Sequence, residues 1–423
     1  MSELSAQEAK LVRSVDALRD DMVDLTSRLV EQPSVLRHEA GVLEVMESEL
    51  RKLGLEPQQV PIDPKQLGGH PGFGPMPYDY EGRYNLVATR SADKEIGKSA
   101  LFNGHLDVVS PEPSDLWDGD PFIPVVRDGW LYGRGAADMK AGVAAMCYAV
   151  KAVETAEFGL GAAVTIEAVI EEECSGNGAL ACVLAGYDAD AVLIPEPGPA
   201  LLLSQVGVAW FKVSVRGAPR HVEDTGSGVN AIDKCYALMS ALRELEKDLN
   251  RMTHPAFTGQ PHPANLNVGI IKGGDWPSTV PAMAEFHCRV GFLPGVTFDE
   301  LRDRVKATVR EAATQDEWLA SNPPTVEFYG FRSEGHCLER DLPMFNVLND
   351  CCRTLTGNDA PRADSTATTD CRAFVHFGKG MATCYGPVGE NIHAANERVD
   401  IASIVHTAKT YALFLSRWCG LVE

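Results

Sequence analysis

Five short stretches carry residues able to hold a metal ion or move a proton. In Leu101-Phe-Asn-Gly-His105-Leu-Asp107 an apolar, strand-like run ends in a histidine and an aspartate two positions apart. Alternate residues of a strand share a face, so both side chains point the same way at its C-terminal end. The imidazole can ligate a metal and the aspartate can fix its tautomer; a hydrogen-bonded structural histidine is the competing reading. The stretch Trp130-Leu-Tyr-Gly133-Arg-Gly135-Ala-Ala-Asp138-Met-Lys140 delivers Asp138 through a glycine-rich turn to the start of a helix, as a ligand or as an N-cap. Three consecutive acids, Glu171, Glu172 and Glu173, follow a strand and precede Cys-Ser-Gly-Asn-Gly178. Such neighbours repel one another unless a cation offsets them, although a solvated acidic turn has the same composition. Glu196 ends another apolar strand in Leu193-Ile-Pro-Glu196-Pro-Gly198, and His393 sits in a glycine-rich loop near the C-terminus.

Together these stretches supply imidazole and carboxylate without thiolate, a donor set suited to Zn²⁺, Mn²⁺ or Co²⁺, one ion or two. A shared aspartate is the usual bridge where two ions sit together. Such ions lower the pKa of bound water from 15.7 to about 7 and polarise a scissile group, while a free carboxylate takes the proton.

These residues need a scaffold that brings strand ends together. Residues 6–55 have helical periodicity in two runs, the second over 42–53. Residues 64–84, dense in Gly, Pro and aromatics, read as an ordered surface loop beside a site. Strand-like runs at 85–88, 99–102, 163–170 and 191–194 alternate with helical stretches at 139–155 and 178–185. That alternation indicates an α/β layer whose ligands gather at the strand C-terminal ends. From 209 the order becomes strand 209–215, helix 229–252, strands 265–271 and 284–292, helix 298–318 and strand 325–329, a ferredoxin-like βαββαβ series. A helix at 342–355, a polar stretch at 364–370, a short strand at 382–385 and a helix at 401–418 close the chain. The expected architecture is an α/β domain with a central mixed sheet flanked by helices, residues 1–207 and 334–423, interrupted by an inserted α+β domain at 208–333.

Composition sets the outer limits. The 423 residues include 59 acidic and 38 basic side chains, a net charge of −21, with 45% apolar and 23% charged residues, which fits a folded, water-soluble chain. A strong acidic balance without a Lys/Arg-rich run makes nucleic acid and anionic membrane poor partners. No secretory signal or membrane span is expected, and eleven scattered cysteines with no C-x-x-C pair suit a reduced, cytoplasmic protein with no cysteine zinc site.

The order H-x-D, GRGxxDMK, an acidic triplet followed by glycine, EP, and a late histidine followed by Glu397-Arg-Val-Asp-Ile401 resembles the M20 family of metallohydrolases over nearly the whole chain. The resemblance implies that His105, Asp138 and Glu196 hold one metal ion and Asp138, Glu173 and His393 the other, with Asp138 bridging. It implies Glu172 as general base and Asp107 as the partner that orients the imidazole. The inserted domain would be the family's lid and dimerisation module, entered at Val215-Arg-Gly217-Ala-Pro-Arg-His221, with His221 stabilising an oxyanion, commonly in the partner subunit. In the lid stretch Trp276-Pro-Ser-Thr279-Val-Pro281, Thr279 stands where many relatives carry Asn. Arg289 and Arg372 resemble arginines that receive a substrate carboxylate; surface ion pairing is the alternative for both, and a loop position with no such role is the alternative for His221.

The resulting expectation is a metal-dependent hydrolase that cuts a C–N bond of a small carboxylate-bearing substrate, an N-acyl amino acid first. A homodimer or larger homo-oligomer would form through the inserted domain. The alternatives are an aminohydrolase releasing ammonia from an aromatic amino acid such as 5-nitroanthranilate, with Phe73, Tyr78, Tyr80 and Trp276 near the ring, and a non-catalytic, metal-stabilised binding protein.

Overall fold

The computed structural model describes residues 4–423. At its centre a six-stranded sheet runs in the order Gln58–Pro61, Tyr84–Arg90, Val164–Val169, Ala100–His105, Val192–Ile194, Ala382–Cys384. The first two pairings are antiparallel and the other three parallel, so the sheet is mixed. Four parallel strands therefore end at one edge, where open α/β sheets collect their ligands. Every residue of Ala100–His105 is buried, as befits a strand covered on both faces.

The helices Ala6–Ala17, Arg19–Val30, Ala141–Thr155 and Ile401–Trp418 pack on one another. Ala141–Thr155 is buried almost all round and rich in alanine, which lets neighbouring backbones approach closely. A second pair, Asn177–Leu184 and Cys371–Phe377, packs together against the sheet.

Strands Gly207–Arg216, Leu266–Gly273, Met283–Phe292 and Thr325–Ser333 form a separate antiparallel sheet. In chain order these are strands one to four, and their sequence across the sheet is two, three, one, four, the ferredoxin-like arrangement. Helices Ala231–Leu249 and Phe298–Thr314 pack on it through Leu238, Leu242, Leu301 and Val305. The apolar core of this unit runs from Ala209 to Leu319, whereas the larger core ends at Leu203 and resumes at Met344.

The structure departs from the sequence reading in local ways. The helix expected over 298–318 breaks at Asp316, whose carboxylate accepts from the amides of Trp318 and Leu319 and starts a short second helix, Glu317–Ser321. The polar stretch near 364 contributes a strand, Arg362–Ser365, parallel to Leu201–Gln205. An unanticipated small sheet joins Gly389–Glu390, Arg398–Asp400, Trp130–Tyr132 and Val125–Arg127. Strands of two or three residues are too short to show a period, yet this sheet brings the Asp138 turn beside the His393 loop.

Candidate metal centre

His105 ends its strand with Nε2 3.1 Å from Asp138 Oδ1 and 3.9 Å from Glu196 Oε1. The other oxygen, Asp138 Oδ2, is 3.4 Å from His393 Nε2, which is 3.0 Å from Glu173 Oε1. Two groups of three donors, each within 4.8 Å, thus share one aspartate. The donor chemistry fits divalent ions of the zinc, manganese and cobalt type, with carboxylate oxygen and imidazole nitrogen and no thiolate.

The electrostatics of the protein alone point the same way. Burial pushes the Glu196 carboxyl well above its ordinary range, and the neighbouring Asp138 charge adds to this. Burial pulls His393 down, but Asp138 and Glu173 outweigh it and carry its pKa to about 11. Burial opposes ionisation of Asp138 too, and hydrogen bonds with His105 and His393 more than reverse that. Three carboxylates crowd two imidazoles here, a negative excess that a cation offsets.

Surrounding residues fix the donors. Glu397 is fully buried, and in the sequence only its place in the late Glu397-Arg-Val-Asp-Ile401 segment marks it. Its Oε1 accepts from the amides of Ala137 and Asp138 at 2.9 and 3.0 Å, and its Oε2 from the Gly135 amide at 3.1 Å and Arg134 Nη1 at 2.6 Å. One carboxylate therefore shapes the turn that presents Asp138. Lys140, also buried, donates to the carbonyls of Leu29 and Gln32 and ties that turn to the preceding helical layer.

Asp107 acts differently from expectation. His105 Nδ1 contacts its main-chain carbonyl at 2.8 Å, whereas its carboxylate is 3.8 Å away. That carboxylate accepts from the amides of Glu172 and Glu173 at 3.3 and 3.1 Å. The backbone of Asp107 orients the imidazole, and its side chain orients the acidic triplet.

The triplet itself splits three ways. Glu171 adopts a left-handed backbone (φ 72°) and turns away from the metal donors. Its buried carboxylate accepts from Tyr78 and Tyr80 hydroxyls, Ser175 Oγ and Arg83. The repulsion among three adjacent acids is thus relieved partly by Arg83. Tyr78 and Tyr80 are consumed in that contact, and Trp276 is 68% exposed. Glu173 faces His393. Glu172 is 6% exposed and its Oε1 has no hydrogen-bond partner among the described residues. Burial, then the charge of Asp370, push its pKa well above the carboxylate range.

The expected substrate residues are dispersed. Arg372 sits between acids, Nη1 3.8 Å from Glu172 Oε1 and Nη2 3.6 Å from Asp370 Oδ1. Arg289 projects from the second sheet and donates to the carbonyls of Thr366 and Asn265. Burial lowers its pKa to about 10, and among the described residues no carboxylate pairs with it. His221 is on the surface of the inserted unit, its side chain 72% exposed, with Nδ1 accepting from the Glu223 amide. No contact joins it to the metal donors of its own chain among the described residues.

Residues 101–417 match the model of peptidase family M20/M25/M40. The chain belongs to this family and is a metal-dependent hydrolase of C–N bonds. It is 26% identical to N-formyl-4-amino-5-aminomethyl-2-methylpyrimidine deformylase of Bacillus subtilis, with 99% of each chain covered. It is 25% identical to succinyl-diaminopimelate desuccinylase of a Polaromonas species, with 94% of each covered. In fold it resembles human carnosine dipeptidase 1, with a TM-score of 0.76 at 18% identity, covering 98% of this chain and 99% of that one. Among the described residues no helix is long and apolar enough to cross a membrane, and all eleven cysteines are free.

Proposed function

We propose that the protein removes an acyl group from the nitrogen of a small carboxylate-bearing compound, an N-acyl amino acid in the first instance. The observation that carries this reading is Glu172, a buried carboxylate with an unpartnered oxygen next to two groups of metal donors. Glu172 belongs to neither donor group and has Arg372 Nη1 3.8 Å from that oxygen, which leaves it to move a proton. The two curated relatives, named as a deformylase and a desuccinylase, favour acyl transfer from nitrogen to water over release of ammonia from a ring. Tyr78 and Tyr80, two of the aromatics considered for the alternative, are engaged by Glu171.

In this reading His105, Asp138 and Glu196 hold one divalent ion and Asp138, Glu173 and His393 a second, with Zn²⁺, Mn²⁺ or Co²⁺ as candidates. When bound, such ions lower the pKa of water to about 7 and polarise the scissile carbonyl. Glu172 accepts the proton of the attacking water and hands it to the departing nitrogen. Its raised proton affinity suits a group that must hold a proton between the two steps. Arg289 receives the substrate carboxylate, because a half-buried guanidinium without an acid partner gains most from an arriving anion. Arg372 is partly committed to Glu172 and Asp370, so its contact with substrate is secondary.

His221 serves the active site of a second copy, a role supported by a side chain that is 72% exposed and makes no contact with the candidate metal donors of its own chain among the described residues. The dimer forms along strand Leu266–Gly273, a sheet edge with Ile270 and Ile271 45% and 51% exposed beside Met283 at 52%. Unpaired, apolar sheet edges favour association.

Release of free amine is measured with added Mn²⁺, Co²⁺ or Zn²⁺ over N-formyl, N-acetyl and N-succinyl amino acids, dipeptides and aminobenzoates including 5-nitroanthranilate. Turnover of an acylated amino acid supports the proposal. Ammonia from an aminobenzoate alone overturns it.

A further inference from the structure

Arg372 lies between two buried acids and completes a hydrogen bond with neither. Its Nη2 is 3.6 Å from Asp370 Oδ1 and its Nη1 3.8 Å from Glu172 Oε1, whereas a guanidinium and a carboxylate in a hydrogen-bonded pair approach to about 2.7–2.9 Å. Glu172 Oε1, Arg372 Nη2 and both oxygens of Asp370 therefore have no hydrogen-bond partner among the described residues, and all three side chains are buried. Orphan polar atoms are rare inside folded proteins because each costs free energy, and where they cluster the fold gives up stability for function.

The guanidinium is held at this midpoint by groups other than the two acids. Nη1 donates to Thr368 Oγ1 and to the Thr369 carbonyl, each at 3.2 Å, and the ring of Phe331 from the inserted unit lies 4.8 Å from its central carbon. Gly176, in a left-handed conformation (φ 69°), leaves the space that Nη2 occupies, since a Cβ there would fall 1.9 Å from it. The carboxylate of Asp370 does nothing for its own helix. It stands at the start of Cys371–Phe377 without a capping bond, and Thr369 Oγ1 accepts from the Cys371 amide instead. A buried guanidinium beside a single carboxylate closes to a hydrogen-bonded pair, and a carboxylate held in that way is a poor proton acceptor. A second carboxylate on the far side opposes the closure.

We propose that Asp370 is a positioning residue: by drawing the Arg372 guanidinium toward itself, it keeps Glu172 Oε1 free to take a proton. The proposal rests on the reading of Glu172 as general base, and Asp370 reaches the reaction only through Arg372 and Glu172. When Asp370 loses its charge, Arg372 moves onto Glu172 and occupies the oxygen.

Crystal structures of the native chain and of Asp370→Asn test the geometry without reference to any substrate. In the variant Arg372 Nη1 is expected to come within about 2.9 Å of Glu172 Oε1, and a separation unchanged from the native chain overturns the proposal. Kinetics of the metal-loaded full chain on an N-acetyl amino acid test the consequence. Asp370→Asn is expected to lose about tenfold or more in kcat, with KM within about twofold of the native value and metal content unchanged. Adding Arg372→Gln removes the guanidinium that closes on the base, so the double variant is expected to regain kcat over Asp370→Asn alone. In the Glu172→Gln background, Asp370→Asn is expected to change kcat no further. A loss that Arg372→Gln does not relieve, or that persists without Glu172, makes Asp370 merely structural and overturns the proposal. Full kcat in Glu172→Gln alone overturns the reading of the base and this proposal with it, whereas kcat lost in Glu172→Gln but kept in Asp370→Asn overturns this proposal only.

Discussion

Glu397 is not among the candidate metal donors, yet it shapes the turn that presents one of them. It holds the amides of Gly135, Ala137 and Asp138 together with Arg134, and through them sets the direction of Asp138. Glu397→Gln replaces one acceptor oxygen by a donor facing N–H groups. A loss of about 10–100-fold in metal affinity is expected, in line with other outer partners of metal ligands; titration of the metal-free chain with Zn²⁺ or Mn²⁺ measures it, and unchanged affinity would remove Glu397 from the account. A second buried acid, Glu167, lies behind the site on the central sheet. Asn103 Nδ2 donates to its Oε2 at 2.9 Å, and its Oε1 is unpartnered. Burial, against the Asn103 hydrogen bond and with help from Asp370 and Asp188, raises its pKa to about 8 from 4.5. The folded chain then keeps a proton that the unfolded chain loses above pH 4.5. This contribution to stability is complete below about pH 4.5 and is lost as pH rises to about 8, a few kcal/mol at about 1.36 kcal/mol per unit. Glu167→Gln cannot ionise, so its melting temperature relative to the native chain is expected to climb between pH 5 and pH 9. A constant difference across that range would contradict this assignment.

At the scale of elements, the segment read as a loop over 64–84 opens instead with a short helix, Pro64–Leu67, capped by Asp63, and its remainder joins the two units. Asn177 binds Gly74 twice, through its Oδ1 and its Nδ2, and the Pro75 carbonyl accepts from the Gly330 amide of the second sheet. Glu171 anchors the loop through Tyr78, Tyr80 and Arg83. Glu171→Ala leaves Arg83 with Glu39 alone and two tyrosine hydroxyls without their acceptor, and breaking a buried pair in this way costs about 3–5 kcal/mol. Urea unfolding is expected to show a loss of that size, and a loss under 1 kcal/mol would mean that the loop is held by other contacts. The sequence made the long elements legible because their signals are local. The helix expected over 401–418 is Ile401–Trp418, and the βαββαβ series is present strand for strand. The candidate metal donors, which the structure brings into two groups, were legible as candidates because each sits where a strand or glycine-rich turn ends. What the sequence did not display was pairing between distant short segments. Strand Arg398–Asp400 beside Trp130–Tyr132 has no period to read, and the hydrogen bonds of Glu397 and the main-chain contact of Asp107 with His105 depend on where two chain segments meet.

For the whole molecule, the two units leave His221 stranded unless a second copy supplies the site that it completes. Ile271→Asp puts a charge on the exposed sheet edge, so sedimentation velocity is expected to show dimers for the native chain and monomers for the variant; a native chain that is monomeric at micromolar concentration would contradict the edge assignment. Mixing Glu172→Gln with His221→Ala, each inactive as a homodimer, is expected to restore part of the activity after subunit exchange, because one site in each mixed dimer is intact. No recovery would place His221 in its own site or outside catalysis. The most direct test of the central claim combines turnover and metal content in Glu172→Gln. The account predicts that the variant binds the same number of metal ions as the native chain, with similar affinity, while kcat for an N-acyl amino acid falls by about 10²–10⁴. Full turnover with the metal retained would contradict the role given to Glu172, and a chain that binds no divalent metal in either form would contradict the site itself.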